Sequence, residues 1–221
     1  MWALWKREFL LLGDEGQRRR HFDDTCRDLT TVGLVRDGDG DLVGFWSANT
    51  GFRTWHGVRF SQVYVPHYVI RRDSRGSVAP YLTATRSFLL AFARHLGRPL
   101  YVVAGTFPGS YIAIRSGPTT LITLDDADPW EASLLRDVAA TMGKSDWDPA
   151  SGLIHGHQIP RDASRDFHPH GAHARALEDY LRLNPTWREG TVLPVLVRVG
   201  LNPLTWAREI SRRRGRADHS R

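Results

Sequence analysis

The sequence predicts an α/β (α+β) fold: a single domain in which helices flank a mixed central sheet. Apolar runs of strand length alternate along the chain with stretches whose apolar residues recur at helical spacing. The 221 residues suit one such domain, and a hydrophobic content of 41% is enough for a sizeable core. The chain shows no internal repeat and no clear domain boundary apart from its basic C-terminal end.

The first third of the chain is predicted to form helix 17–29, strand 31–36, turn 37–41, strand 42–49, turn 50–57 and strand 58–71. The helix is indicated by an apolar stripe, and the turn at 37–41 by two Asp-Gly pairs, which favour tight hairpins. Pro66 lies inside the long strand. Because proline has no N–H to donate, we expect a bulge, an edge position or a break in the strand pairing there.

The middle of the chain gives the strongest helix prediction, at 77–96, where seven residues form one stripe and Gly97 ends the helix. A buried strand follows at 99–105, and a short helix at 108–115 begins with a proline, as helices often do. The remaining elements are predicted as helix 128–142, loop 144–149, strand 152–159, loop 162–169, helix 173–183, strand 191–199 and helix 204–214.

Charge and composition limit the function classes. The formal net charge is +6, and residues 204–221 contribute six arginines against two acids, so most of the excess lies in this segment. We therefore divide the chain into a domain at 1–203 and a basic C-terminal helix or tail at 204–221, and we do not expect nucleic acid as the main partner. The single cysteine, Cys26, favours a reducing, cytoplasmic setting, and no segment is apolar enough to span a membrane.

The turn between the long strand and the strongest helix is a candidate anion site. It contains Arg71, Arg72, Arg75, Gly76 and Ser77. The N-terminus of a helix presents unpaired N–H groups and a partial positive charge, and guanidinium groups grip phosphate oxygens in pairs. The sequence therefore predicts that these residues bind the phosphate of a thioester carrier.

The order of these elements resembles the GNAT (Gcn5-related N-acetyltransferase) superfamily over residues 31–115, about half of the chain. Arg75-Gly76 resembles the start of the family's phosphate-binding signature, Arg-Gly-x-Gly-x-Gly, and 106–111 resembles its segment after the second central strand. The two later glycines of the signature are replaced here by Val78 and Pro80, which would crowd a pyrophosphate. The departure favours an acidic acyl carrier protein over coenzyme A (CoA) as the donor, with no permanently bound cofactor.

The resemblance also implies where the chemistry takes place. In GNAT-like folds the two central parallel strands separate, and the gap here would lie between 65–68 and 104–106. Tyr111 matches the family's tyrosine near the thioester sulfur and is the candidate general acid. His67 is the candidate general base, because an imidazole titrates near neutral pH. Structural roles remain open for both residues: His67 as a histidine at a polar strand edge, and Tyr111 as a packed tyrosine.

The leading hypothesis is an N-acyltransferase that moves an acyl group from acyl-CoA or acyl-phosphopantetheine to a small amine by direct attack. The alternative is a degenerate GNAT-like module that binds an acyl carrier or a small molecule without turnover. A third reading assigns nucleic-acid or anionic-surface binding to the arginine-rich tail. Five histidines at 155–173 could supply metal ligands, but no acid or cysteine accompanies them at a known ligand spacing, so no metal site is assigned.

Overall fold

A computed structural model describes residues 1–27, 29–74, 98–117, 119–156, 158–161 and 170–199 of the chain. Its helices are α1 (Trp2–Glu8), α2 (Glu15–Arg27), α3 (Pro108–Arg115), α4 (Pro129–Gly143) and α5 (Ala172–Leu183). Its strands are β1 (Phe9–Leu11), β2 (Thr31–Arg36), β3 (Leu42–Trp55), β4 (Val58–Ile70), β5 (Leu100–Thr106), β6 (Thr120–Ile122), β7 (Trp147–Asp148), β8 (Leu153–His155), β9 (Gln158–Pro160) and β10 (Thr191–Arg198).

The strands form one large mixed sheet and one small one. The large sheet has the order β2-β3-β4-β5-β10-β8-β7, with β6 also paired to β10, and the small sheet joins β1 to β9. Among the described strands, only β4 and β5 pair in parallel. The mixed α/β class and the predicted central sheet are therefore confirmed.

Most predicted elements within the described residues are confirmed, with shifts of one or two residues at their ends. Strand β2 and helix α3 have the predicted bounds. The predicted turn at 37–41 is also present: the Asp37 N–H donates to the Asp41 carbonyl oxygen, and the Asp37 carboxylate accepts from the N–H groups of Asp39 and Asp41.

The predicted turn at 50–57 is wrong, because β3 continues to Trp55 and only His56 and Gly57 form the turn. Threonine and aromatic residues at 50–55 favour strand structure, and they pair with 58–63 of β4. The strand predicted at 152–159 is divided into β8 and β9, which belong to different sheets. Gly156 lies at the break, where an added Cβ would be 2.2 Å from the Gly190 carbonyl oxygen.

Three other expectations fall outside the described residues. These are the helix at 77–96, the loop at 162–169 and the terminal helix at 204–214. The proposed division between residues 203 and 204 lies beyond the described chain as well. None of the helices in the described ranges is both long and apolar enough to cross a membrane.

The sheet separates two apolar layers. Alternate side chains of β3 point to opposite faces: Phe45 packs with α1 and α2, whereas Trp46 packs on the other face with Val63 of β4. Helix α4 covers the first face over Phe60 and Val103, and Tyr111 of α3 with Tyr180 of α5 covers the second face over β10. We call these the α1/α2/α4 face and the α3/α5 face.

Pro66 occupies a β-bulge, as predicted. Ser47 pairs with His67 and Asn49 with Tyr64, so the single residue Ala48 opposes two residues, Val65 and Pro66. The extra residue reverses the alternation of β4. As a result, His67 and Val69 point to the α1/α2/α4 face, the face that Phe60 and Tyr64 occupy before the bulge.

The β3–β4 hairpin extends beyond its neighbours at the opposite end. Strand β2 pairs with β3 only as far as Ala48, and β5 pairs with β4 only from Ser61 onward. Residues 52–60 therefore form a two-stranded arm. The arm is held on one face by α4: Arg53 forms an ion pair with Asp137 at 2.5 Å, and the Trp130 indole donates to the Trp55 carbonyl oxygen.

Candidate functional site

The parallel strands β4 and β5 separate near their carboxyl ends. Their pairing runs from Ser61 and Leu100 to Val65 and Ala104, and then stops. Beyond this point β4 continues with β3 as its partner, and β5 continues with β10. The bulge at Pro66 lies next to the last parallel pair, Val65 and Ala104. The two strands therefore separate at the point where the alternation of side chains along β4 reverses. The gap lies at the predicted position.

A series of aromatic rings crosses the gap on the α1/α2/α4 face. His67 of β4 lies 6.4 Å from Trp5 of α1, measured between ring centroids. Trp5 lies 5.9 Å from Phe9 of β1, and Phe9 lies 6.2 Å from Phe107, the residue directly after β5. We call this series the aromatic bridge. It links the two separated strands by an apolar surface, an environment that suits a hydrocarbon chain better than a charged group.

The predicted base His67 is part of this bridge and is only 7% exposed. Its Nδ1 lies 3.0 Å from the Ser47 Oγ, and its ring packs against Phe22 at 4.9 Å. Burial, together with the nearby charge of His21, lowers the pKa of His67 from 6.5 to about 4. The imidazole is therefore neutral at physiological pH, but it is a weaker proton acceptor than a solvated histidine.

The predicted acid Tyr111 is fully buried between α3 and α5. Its hydroxyl donates a hydrogen bond to the Asp179 carboxylate, and its ring lies 5.2 Å from that of Tyr180. Burial and the carboxylate both raise the pKa of Tyr111 above its usual value. The Tyr111 hydroxyl proton is therefore engaged in the hydrogen bond to Asp179, and it is less available to a leaving group than the proton of a free phenol.

Asp179 joins this tyrosine to a network of charges. Arg182 donates to Asp179 at 2.9 Å and to Asp125 at 2.7 Å, and Arg115 lies 3.8 Å from Asp179. Burial alone would raise the pKa of Asp179, but the hydrogen bonds from Tyr111 and Arg182 hold it below its usual value. At the end of β5, the Tyr180 hydroxyl donates to the Thr106 carbonyl oxygen. Tyr180 therefore lies between Tyr111 and Thr106, the residue that borders the gap.

His67 and Tyr111 lie on opposite faces of the sheet. Packing surrounds each of them, and Tyr111 contacts Tyr180 and Asp179 rather than the strands at the gap. The sequence did not single out Trp5, Phe9 or Phe107, which form the rest of the aromatic bridge. A signal was present in the spacing of Trp2, Trp5 and Phe9, an aromatic series interrupted by charged residues near the start of the chain.

The predicted anion site is only partly described. Arg71 is committed to two ion pairs, with Asp73 at 2.5 Å and with Asp37 of the β2–β3 turn at 3.4 Å. Arg72 is exposed and has no carboxylate within ion-pair distance among the described residues. Arg75, Gly76 and Ser77 lie outside the described residues. Of the two described arginines of this turn, Arg72 is therefore the one without an ion pair to a described carboxylate.

A cavity of about 250 Å³ lies beyond β10 on its far side from the gap. It occupies the interval between β6 and β8, which pair with different parts of β10. Its wall includes Leu193, Pro194 and the Asp125–Arg182 ion pair. Strands β5 and β10 separate this cavity from the gap, so the two are distinct features.

The histidine-rich segment is also only partly described. His155, His170 and His173 are exposed, and His157 and His168 lie outside the described residues. No group of three or more histidine, cysteine, aspartate or glutamate side chains in the described ranges could hold a metal ion.

Comparisons with known proteins give structural likenesses only. Neither a protein-family model nor a curated protein matches the chain. A GNAT-family N-acetyltransferase from Escherichia coli, solved in complex with CoA, is 16% identical over 49% of this chain and 57% of its own, with a TM-score of 0.36. An acetyltransferase from Trypanosoma brucei is 13% identical over 45% of this chain and 68% of its own, with a TM-score of 0.32.

A third likeness is to a mutant of the BH1408 protein from Bacillus halodurans, at 11% identity and a TM-score of 0.34. The match covers 43% of this chain and 60% of that protein. The chain thus spans less than two thirds of the length of the Bacillus halodurans and Escherichia coli proteins. At such low identity and TM-score, these likenesses carry no inference about the activity of this chain.

Proposed function

We propose that the protein is an N-acyltransferase that takes an acyl group from a phosphopantetheine thioester and passes it to a small amine. The supporting observation is the gap between β4 and β5, which the aromatic bridge spans. An extended pantetheine arm can enter between two separated strands and bond to backbone groups beyond the last β4–β5 pair, while the bridge offers an apolar environment to the acyl chain. The donor is acyl-CoA or, as the loop departure favours, an acyl carrier protein.

Acyl transfer to an amine needs no covalent enzyme intermediate. The amine nitrogen attacks the thioester carbonyl carbon, the C–S bond breaks, the amine loses a proton and the thiolate gains one. His67, directly or through a water molecule beside it, is proposed as the acceptor of the amine proton, although its lowered pKa makes it a weaker base than a solvated histidine. Tyr111 is proposed as the source of the thiolate proton, which it can supply only by leaving its hydrogen bond to Asp179.

Replacing Tyr111 with phenylalanine tests this role. If Tyr111 is the general acid, kcat should fall by about 100-fold or more, because general acid catalysis contributes that much. The matched variant is Asp179→Asn, which weakens the same hydrogen bond but keeps the phenol. Steady-state kinetics with an acyl thioester should show a large loss of kcat for Y111F and a small one for D179N. Equal losses that parallel the melting temperatures would assign Tyr111 a structural role.

Donor identity is tested by calorimetry of the whole chain with CoA and with phosphopantetheinylated acyl carrier protein. Arg72→Gln should weaken binding of the true donor about 5- to 10-fold, since a hydrogen bond to a charged group is lost. Arg20→Gln, which removes an exposed charge from α2, is the control and should leave the affinity unchanged. If the protein bound neither CoA nor the acyl carrier protein, the proposed acyltransferase function would be contradicted.

The second candidate function is a binding module without turnover. The burial of His67 and of Tyr111 favours it, because neither side chain faces solvent as a catalytic group in an open cleft would. A module should bind the donor with the same sensitivity to Arg72→Gln but should release no free thiol in the presence of amines. Thiol release that depends on the amine would support the acyltransferase and contradict the binding module.

A further inference from the structure

The cavity of about 250 Å³ beside β10 lies at an interruption in the pairing of that strand. One edge of β10 pairs with β5 along most of its length. On the opposite edge, which we call the outer edge, β10 pairs with β8 at Thr191 and Val192 and with β6 from Leu196 onward. Residues 193–195 have no partner on the outer edge among the described strands. The cavity therefore occupies the space that a continuous partner strand would fill.

Pro194 lies in the middle of this interval. The Val199 N–H, just after β10, donates to the Leu100 carbonyl oxygen beside β5, so the alternation along β10 directs the backbone of Pro194 to the outer edge. A proline has no N–H to donate, and it would cost a ladder hydrogen bond opposite a paired strand. The sequence thus places the proline at the position where the interruption makes that loss harmless.

The inner wall of the cavity is apolar. Leu193 and Pro194 are buried, and Leu124 and Leu183 are half-buried beside them. The cavity is smaller than the roughly 300–1,000 Å³ of sites for drug-sized ligands, so it suits a small molecule with a short hydrocarbon part. Burial of that hydrocarbon against the leucine side chains would contribute favourably to binding.

The outer wall carries one charge of each sign. The Arg182 Nη1 donates to the Asp125 Oδ2 at 2.7 Å, and both side chains are more than half exposed. Such an exposed ion pair contributes little to stability, so it can open for a ligand at low cost. The Arg182 Nη2 also donates to Asp179 at 2.9 Å, a bond that can hold the guanidinium at the wall while a ligand replaces Asp125. A zwitterion would offer a carboxylate to Arg182 and an ammonium group to Asp125.

We propose that this cavity binds a free α-amino acid with an apolar side chain. Its carboxylate lies against the Arg182 guanidinium, its ammonium group against the Asp125 carboxylate, and its side chain against Leu193 and Leu183. The two protein charges are adjacent, so the two ligand charges must be close together as well. An α-amino acid carries both on one carbon atom, whereas a peptide terminus carries only one. Because β5 and β10 separate the cavity from the gap, this site is additional to the proposed acyltransferase site.

The test is isothermal titration calorimetry of the whole chain with L-leucine, for which we expect saturable binding. Glycine has the same charges without the side chain, and its affinity should be about tenfold or more lower. Two analogues of leucine each lack one charge: isopentylamine has no carboxylate, and isocaproate has no ammonium group. The affinity of each should also be about tenfold or more below that of leucine, since a charge-assisted hydrogen bond is lost.

Two variants assign the charges to their partners. Arg182→Gln should weaken leucine binding about tenfold and abolish the difference between leucine and isopentylamine, because the ligand carboxylate has lost its partner. Asp125→Asn should likewise abolish the difference between leucine and isocaproate. The control Arg175→Gln removes an exposed arginine from the same helix and should leave the affinity unchanged. Melting temperatures show whether each variant is folded, and D125N decides alone if R182Q does not fold.

Three results would overturn this assignment. They are no binding of leucine at millimolar concentration, analogues with one charge that bind as tightly as leucine, and a leucine affinity that D125N and R182Q leave unchanged. The last result would place the amino acid elsewhere, for example as an amine acceptor at the gap between β4 and β5. None of the three contradicts the acyltransferase proposal, whose own tests concern the donor thioester and Tyr111.

Discussion

Replacing Gly33 with alanine should destabilise the protein by about 3 kcal/mol, because the new methyl group would occupy the position of the Trp46 indole. A Cβ built on Gly33 would lie 1.8 Å from the Trp46 Nε1 and 2.3 Å from its Cε2. Trp46 is 2% exposed and belongs to the core on the α3/α5 face, so the ring cannot swing into solvent. The measurement is the free energy of unfolding in urea.

The control for this variant is Gly38→Ala in the β2–β3 turn. Nothing lies within 4 Å of a Cβ placed there, and we expect a change of less than about 0.5 kcal/mol. A Gly33→Ala variant as stable as Gly38→Ala would mean that Trp46 does not pack against β2. Because Gly33 and Trp46 face each other in adjacent strands, that result would also challenge the register of the pair.

Acidification should remove about 3 kcal/mol of stability through His67 alone. Its pKa is about 4 in the folded protein and 6.5 without the fold. Between these two values the unfolded chain binds a proton that the folded protein does not, so the free energy of unfolding rises with pH across this window. The contribution is complete above pH 6.5 and is lost as the pH falls to 4.

The other histidines and the carboxylates titrate in the same range, so the effect is measured as a difference. The variant His67→Gln keeps a hydrogen-bonding group toward Ser47 but cannot be protonated. The difference in the free energy of unfolding between the two proteins should shrink by about 3 kcal/mol from pH 7.5 to pH 4. A difference that stays constant over this range would show that the imidazole has solvent access in the folded state, and it would restore His67 as a direct base.

The regular elements were predictable because their patterns are local. The bounds of β2 and α3 followed from residues within each element, and the bulge followed from one proline in an apolar strand. The end of β3 was missed because Gly51 interrupts a strand that only pairing with β4 makes regular. Tertiary pairing there outweighs the preference of a single residue.

The position of the gap between β4 and β5 was predictable, but the environment of the candidate side chains was not. The gap between β4 and β5 depends on topology, which the order of elements indicates. The burial of His67 depends on Trp5 and Phe22, which lie far from it in sequence. Likewise the Tyr111–Asp179 hydrogen bond joins two helices that are 68 residues apart at the contact, and no local pattern reports it.

The bulge at Pro66 has a consequence for insertions and deletions in β4. The alternation of side chains between the two faces of the sheet reverses at the bulge, so β4 consists of two segments. Within either segment, loss of a single residue would turn the side chains on one side of the deletion to the opposite face. Loss of one residue at 65–66 would instead give a regular strand in which Tyr64 still pairs with Asn49 and His67 still pairs with Ser47, so both segments would keep their faces. The His67 imidazole would therefore remain in the aromatic bridge against Trp5. The bulge is thus a position in β4 where the loss of one residue leaves the rings beside the gap in place.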